Sequence, residues 1–273
     1  GFTVSPFDFK YGLNEIGLAK MFADEYKNRV RYCTEQKRWY IFDRCKGWIT
    51  DKNSNILDIY QRFISNLAYA YSLIDNDDYR KAFGKFLKCT SISTCDNILR
   101  HAAKYYPFDA IEMDAKIDIV AAHNGVIQLD RENGTFDFRS FHPDDMTTKR
   151  MSVIYDPDAK CPRWEQFIAE IMNGDAELIT FLQIFLGQMM YGRNEQKAFG
   201  IFLGVTTNNG KSTLVEALKD LLGDYAVSVS ESVISKGNNN QINELEQLAK
   251  TQGARMVSLP EPRQNLQLNE QVL

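Results

Sequence analysis

The sequence predicts a mixed α/β fold, in which an α+β front part precedes a helical stretch and a final α/β part. Two groups of short aromatic and β-branched runs, separated by helical periodicity, occupy the first 141 residues. Helical patterns without strands follow, and an apolar run at Phe199 then enters a glycine-flanked polar loop that continues as a helix. We therefore divide the chain at 1–155, 156–195 and 196–273.

The front part predicts a three-stranded meander followed by helices. Polar turns separate three runs rich in aromatic and β-branched residues, which are Arg29–Cys33, Arg38–Phe42 and Gly47–Thr50. Apolar residues at helical spacing then predict a helix over Leu57–Ala70, its buried face being Ile59, Phe63, Ile64 and Leu67. Further helices are expected at Asp78–Lys88 and Cys95–Tyr105.

In a second β stretch, Asn124–Phe141, apolar and polar residues alternate on both sides of Asn133-Gly134, and this pattern predicts a hairpin. Prolines at 157 and 162 place a boundary after it, since proline cannot continue a helix interior. Two helices are expected next, Arg163–Met172 and Ala176–Tyr191. Asp175 is the expected N-cap of the second, and Gly192 its end.

Composition excludes several classes of protein. With 44% hydrophobic and 25% charged residues and no run of 18 apolar residues, the chain is typical of a globular protein without a membrane span. A net charge of −4 confines any contact with a polyanion to a local patch. The N-terminus lacks both Met and a secretory signal, so we expect the sequence to begin partway along a longer chain.

Five scattered cysteines indicate reduced thiols and a cytoplasmic location. The alternative is a metal site formed by Cys89, Cys95 and His101. Its spacing lacks the close cysteine pairs that zinc modules favour.

The stretch GVTTNNGKST, Gly204–Thr213, predicts a phosphate-binding loop. Such a loop needs inward-pointing N–H groups, a helix N-terminus beneath the anion and one long cation. Lys211 can reach the β and γ phosphates of a nucleotide, and the Ser212 hydroxyl can bind Mg²⁺. The expected nucleotide-binding residues are Gly204, Thr206, Thr207, Asn208, Asn209, Gly210, Lys211, Ser212 and Thr213.

The spacing of this loop departs from the usual pattern, because Val205 stands where the first glycine is expected and Gly204 lies one residue earlier. A strand over Gly200–Val205 and a helix with apolar Leu214, Leu218, Leu221 and Leu222, ending at Gly223, complete the predicted unit. The alternative is a purely structural turn.

A nucleotide hydrolase also needs a carboxylate at the tip of a neighbouring strand. Met256–Leu259 is a short apolar run, and Glu261 follows it closely. There the carboxylate could orient the attacking water and contribute to the Mg²⁺ shell. The alternative is a solvated loop residue.

Four stretches together resemble superfamily 3 helicases of the phage, plasmid and poxvirus-type primase-helicase branch. They are RVRYCTEQKRWYIFDRCKGW, the β-rich segment from Asn124 to Trp164, ELITFLQIFLGQMMYGRNEQKAFGIFLGVTTNNGKSTL, and GARMVSLPEPRQNLQLNEQVL. The resemblance covers most of the chain from Tyr11 onward.

The resemblance implies an N-terminal accessory domain over 1–155, a helical collar over 156–195 and the first part of an AAA+ motor over 196–273. It implies a ring, usually a hexamer, that hydrolyses ATP with Mg²⁺ and moves on single-stranded or forked DNA, in some members with a primase domain in the same polypeptide. By position, Lys211 and Ser212 would bind nucleotide and Mg²⁺, and Glu261 would take the Walker B role. The sensor strand, pore-loop residues and arginine finger have no counterpart in this sequence, so we expect weak nucleotide binding and little hydrolysis from the chain alone.

Two other functions stay open: a non-motor module that recruits primase or initiator with a vestigial nucleotide site, and another P-loop ATPase such as a loader or terminase.

A basic patch stands out at the front. Between Lys27 and Lys52 there are eight basic and three acidic residues. Cations interleaved with aromatic side chains suit a single nucleic-acid strand. The expected contacts are Arg29, Arg31, Lys37, Arg38, Trp39, Arg44 and Lys46; contact between ring neighbours, or an ordinary small sheet, are the alternatives.

Overall fold

The computed structural model describes residues 2–5, 7–12, 14–78, 81, 84, 89–204, 209–235 and 241–259. Helix and sheet are mixed in it, and the chain divides into two compact units, Gly1–Glu112 and Met113–Leu273. No helix in the described ranges has both the length and the apolar character needed to cross a bilayer.

The described part of the first unit includes three long helices and one antiparallel sheet. The helices are α1 (Glu15–Tyr26), α2 (Asn55–Ser72) and α3 (Ile92–Ala102), and the strands are β1 (Val30–Cys33), β2 (Arg38–Asp43) and β3 (Gly47–Thr50). The strand order is β1-β2-β3. The predicted meander and the helices at Leu57–Ala70 and Cys95–Tyr105 are confirmed in type, while most of Asp78–Lys88 lies outside the described residues.

The core of this unit forms where the apolar faces of the three helices meet. The four residues predicted as the buried face of α2 are all buried. Phe22 of α1 and Phe63 of α2 meet edge to face, with ring centroids 5.5 Å apart. Such aromatic pairs stabilise a core by about 1 kcal/mol beyond their buried area.

The second unit begins with a three-stranded antiparallel sheet formed by β4 (Ile119–Ala122), β5 (Gly125–Asp130) and β6 (Thr135–Arg139). The predicted hairpin is confirmed. Gly134 has φ +64° in its turn. The Asp130 carboxylate accepts hydrogen bonds from the backbone N–H groups of Glu132 and Asn133, both at 3.1 Å, which fixes the turn.

Two helices follow, α4 (Pro162–Ile171) and α5 (Ala176–Gly187). Asp175 caps α5 as predicted, because its carboxylate accepts from the N–H groups of Glu177 and Leu178 at 3.0 and 3.1 Å. The predicted end at Gly192 is wrong. The α-helix ends at Gly187, and a 3-10 turn follows over Gln188–Met190.

The last part contains α6 (Lys211–Leu222), β7 (Ala226–Ser228), α7 (Gln241–Lys250) and β8 (Met256–Ser258). β7 pairs parallel with β8, as expected for strands joined through a helix. The strand expected over Met256–Leu259 is confirmed.

The strand expected over Gly200–Val205 is not formed in its described part, 200–204. A strand needs a partner backbone, and none of the described strands pairs with this segment. The side chains of this segment are correspondingly exposed, Leu203 by 88%.

Helix α6 packs into two different hydrophobic clusters. Leu214 and Leu218 pack with Ile168 of α4 and Leu182 of α5. One turn further, Leu222 packs with Tyr225 and with strand residues of β4 and β5. Leu221, predicted to be buried with them, is 39% exposed, because it lies at the edge of the stripe that Leu214, Leu218 and Leu222 form at i, i+4 spacing.

The β4–β6 sheet therefore packs with residues of the helix α6 region, within the second unit, and the division between the two units lies between residues 112 and 113 of the sequence. The predicted functional division at 155 and 195 stays a prediction.

Candidate functional site

The candidate phosphate loop ends on Gly210, which begins helix α6. Gly210 has φ +83° as the N-cap residue, a conformation that glycine adopts without steric cost. A Cβ at this position would lie 2.5 Å from Ile171 Cγ2 and 3.2 Å from the Phe167 ring. Glycine is thus required both by the turn and by the close approach of the loop to α4.

Gly204 lies against the lysine side chain despite its unusual spacing. A Cβ added to Gly204 would overlap Asn209 Nδ2 and Lys211 Nζ. Lys211 Nζ in turn donates a hydrogen bond to Asn209 Oδ1 at 2.7 Å. The structure therefore brings four of the nine predicted residues together, Gly204, Asn209, Gly210 and Lys211, on both sides of residues 205–208. Thr206, Thr207 and Asn208 lie outside the described residues.

The first turn of α6 is electropositive. It contains no acidic residue, and its N-cap residue, Gly210, has no side chain that could cap it. The unpaired N–H groups at the start of a helix are equivalent to about half a positive charge. Ser212 and Thr213 are exposed there. The glycine backbone, the N–H groups and the ammonium group suit a phosphate chain, and the Ser212 hydroxyl suits Mg²⁺.

Glu261, the predicted Walker B residue, lies outside the described residues. The strand that leads to it, β8, is present and lies beside α6, because Met256 packs against the cluster that contains Leu214 and Leu218. No three His, Cys, Asp or Glu side chains are grouped as a metal site in the part of the chain that the structure describes.

The basic sheet, which we define as β1–β3 with its turns, uses most of its aromatic side chains for packing. Trp48 is 1% and Tyr40 6% exposed, and the Tyr40 ring lies 5.3 Å from that of Phe108. On the other face, Trp39 packs against the helical core and meets the Tyr32 ring edge to face at 5.2 Å. Trp39 is half-buried, so part of its ring stays accessible.

The charged residues of the basic sheet lie at its two ends. Lys37 and Arg38 are exposed at the β1–β2 turn, while Arg29, Arg44 and Lys46 are exposed at the opposite end. Arg31 is half-buried near the middle of β1. A bound strand would therefore meet cations at either end of the sheet, with the edge of Trp39 close to the first group.

A half-buried polar cluster surrounds Arg255, the residue before β8, and was not predicted from the sequence. Its Nη1 donates to the Ile117 carbonyl at 2.9 Å, and its Nη2 donates to the carbonyls of Lys116 and Ile119 at 3.2 and 2.6 Å. Its partners are backbone atoms more than 130 residues away, so no sequence pattern could indicate them.

Residues 19–173, more than half of the chain, match the family described as D5 N terminal like. The chain belongs to the D5 N-terminal-like family. It is thereby a member of the D5-type primase-helicase family, which confirms the resemblance found in the sequence.

One relative of this D5-type chain is described as "Putative helicase L207/L206", from Acanthamoeba polyphaga mimivirus. The two sequences are 24% identical over 266 residues, which is 96% of this chain and 24% of the mimivirus protein. The chain thus spans about a quarter of that relative's length. The D5 match covers the basic sheet, β4–β6 and α4, whereas the candidate phosphate loop follows it along the chain.

Proposed function

We propose that this D5-type chain carries the nucleotide site of an ATP-dependent replicative DNA helicase. The observation that carries the proposal is the placement of Gly204, Gly210 and Lys211 around the N-terminus of α6. These residues lie up to seven positions apart in the sequence. Gly204 contributes its backbone, Gly210 the turn into the helix and Lys211 a positive charge, all at the N-terminus of α6. A purely structural turn would not require the Gly204 backbone to lie against an ammonium group.

In this proposal each residue has a separate role. The first N–H groups of α6 bind the phosphate oxygens, and Lys211 exchanges its hydrogen bond with Asn209 Oδ1 for one to the β or γ phosphate. Ser212 contributes its hydroxyl to Mg²⁺, which when bound would neutralise charge on the phosphates. Glu261 orients the attacking water.

The wider activity belongs to the same proposal. ATP hydrolysis drives movement on single-stranded or forked DNA, with copies of the protein arranged in a ring, a hexamer. Family membership and the printed description of the mimivirus relative as a putative helicase support this. The basic sheet is the surface of this chain that we assign to DNA.

Binding of ADP and Mg²⁺ tests the nucleotide site directly. We expect Lys211→Ala to weaken binding about ten- to hundredfold, because a charge-assisted contact contributes about 1.5–3 kcal/mol. Lys219→Ala is the matched control, since Lys219 lies in the same helix and pairs with Glu216 at 3.1 Å. Calorimetry or a fluorescent ADP gives the two dissociation constants.

Equal affinity of both variants and the wild-type chain would refute the proposed roles. Failure of the wild-type chain to bind at millimolar ADP would favour the interaction module with a vestigial site.

A further inference from the structure

The guanidinium of Arg255 is held by backbone carbonyls rather than by a carboxylate. Three carbonyls of the segment Lys116–Ile119 accept its Nη hydrogen bonds. Burial lowers the pKa of this guanidinium, and the negative charges of Asp114 and Asp118 partly oppose that effect. The half-buried guanidinium is thus held at three backbone points, an orientation that an apolar side chain of similar size would not have.

Gly192, which has no side chain, leaves space for the guanidinium of Arg255. A Cβ at Gly192 would overlap Arg255 Nη1 and would lie 3.1 Å from Ile117 Cα. The Gly192 N–H also donates to the Ile117 carbonyl at 3.1 Å. The segment that leads from α5 towards the candidate phosphate loop therefore contacts both the guanidinium and its acceptor.

Tyr225 connects Arg255 to strand β4. The Arg255 N–H donates to the Tyr225 carbonyl at 2.8 Å, and the guanidinium lies over the Tyr225 ring, 5.6 Å from its centroid. The Tyr225 hydroxyl accepts from the Ala121 N–H at 3.0 Å and is buried. Ala121 is in β4, so Arg255 and Tyr225 contact the β4 backbone at its beginning and near its end.

The next residue along the chain extends this connection to the nucleotide site. Met256 packs against Leu214 and Leu218 of α6, and also against Leu222 and Tyr225. The helix that begins at Lys211 thus contacts the strand that begins after Arg255. This packing offers a physical route between the two elements, because close-packed interiors transmit strain.

We propose that Arg255 is a positioning residue that couples the nucleotide site to the β4–β6 sheet. This inference rests on the proposed function, since it assigns a regulation to that same site. Nucleotide holds α6 and β8 in one arrangement, in which the guanidinium lies between the three carbonyls. Local opening of β4 must break those contacts, so bound nucleotide makes opening rarer.

Amide hydrogen exchange with and without ADP and Mg²⁺ measures the coupling in the full chain. In the wild type we expect nucleotide to slow exchange at Ile119–Ala122 by at least about fivefold, the lower end of typical coupling between sites. In Arg255→Met that slowing is lost, while the first turn of α6 stays protected by nucleotide. If Arg255 were merely structural, Arg255→Met would change the exchange rates at Ile119–Ala122 by the same factor with and without nucleotide. The slowing caused by nucleotide would then persist.

Gly192→Ala provides a second variant, which keeps the arginine but displaces its guanidinium. If Arg255→Met fails to fold, Gly192→Ala alone tests the coupling. Gly187→Ala is the control, because a Cβ there meets nothing within 4 Å. Retained slowing at Ile119–Ala122 in both test variants would overturn the coupling and leave the nucleotide site intact. No nucleotide binding to the wild type would instead overturn the proposed function and the coupling with it.

Discussion

At the scale of single residues, glycine has three different physical roles around helix α6. Gly204 leaves space for the ends of two side chains, and Gly210 adopts φ +83° against α4. Gly223 lies at the other end of the helix with φ +56° and is close to backbone atoms of the segment 150–152. Substitution by alanine therefore has different consequences at the three positions, because the atoms that the added methyl would contact differ in how easily they can move.

Gly204→Ala should weaken nucleotide binding with little loss of stability. Among the described residues, the atoms nearest to the added methyl are at the ends of the Asn209 and Lys211 side chains, which can rotate away and leave the lysine misplaced. We expect about a tenfold loss of ADP affinity, the effect of about 1.4 kcal/mol. Calorimetry and thermal melting measure the two effects. A large drop in melting temperature, or unchanged affinity, would contradict this account.

The cysteines should differ strongly in reactivity. Burial raises the pKa of Cys95, which is 1% exposed, so at a given pH less of it is the reactive thiolate. Cys45 and Cys161 are exposed. At pH 8 we expect iodoacetamide to modify Cys45 and Cys161 first, and Cys33 and Cys95 only after unfolding. Mass spectrometry of timed samples checks this, and early modification of Cys95 would argue against its buried position.

At the scale of elements, α6 is fixed along its length. Its first turns pack on α4 and α5, and its last turn contacts the segment beside β4. The Ser152 N–H donates to the Leu221 carbonyl at 3.2 Å, and the Asp224 N–H donates to the Arg150 carbonyl at 3.0 Å. These bonds satisfy groups at the helix C-terminus that would otherwise be unpaired.

Gly223→Ala should therefore destabilise the second unit. The Cβ would lie 2.8 Å from the Arg150 carbonyl oxygen and from the Ser152 nitrogen, and φ is +56°. Ser152 Oγ, at 2.6 Å, could move aside, but the two backbone atoms cannot, and the conformation is strained for an L-residue. We therefore expect a loss of about 2 kcal/mol or more in the free energy of unfolding. Denaturant titration measures it. Gly187→Ala should be neutral or slightly stabilising; equal effects of the two substitutions would disprove the contact.

At the scale of the whole molecule, charge is distributed unevenly. The net charge is −4, yet the stretch from Lys27 to Lys52 has an excess of five basic residues. Most of their side chains are exposed, while Trp48 and Tyr40 are buried. Attraction to phosphates is therefore the main contribution that this surface can make to DNA binding, with stacking limited to the accessible part of Trp39.

Arg38→Glu should weaken binding of single-stranded DNA at low salt and reduce the slope of log affinity against log salt by about 0.7, the value for one lost phosphate contact. Arg100→Glu, at an exposed position of α3 and outside the basic sheet, makes the same change in net charge. Fluorescence anisotropy over a salt series compares them. Equal losses would indicate a bulk charge effect, and no loss in Arg38→Glu would remove the DNA assignment from that end of the sheet.

The sequence by itself determined what depends on neighbours along the chain. The i, i+3 and i+4 spacing placed α2, the Asn133-Gly134 turn placed the hairpin, and Asp175 placed the start of α5, because each signal acts within a few residues. The Gly-Lys-Ser run at the start of α6 was recognised for the same reason. Only the tertiary structure decided that Gly204 meets Lys211, that residues 200–204 pair with no described strand, and that Arg255 contacts Lys116–Ile119. Those outcomes depend on backbone and side chains brought together from distant positions, and local periodicity contains no information about such partners.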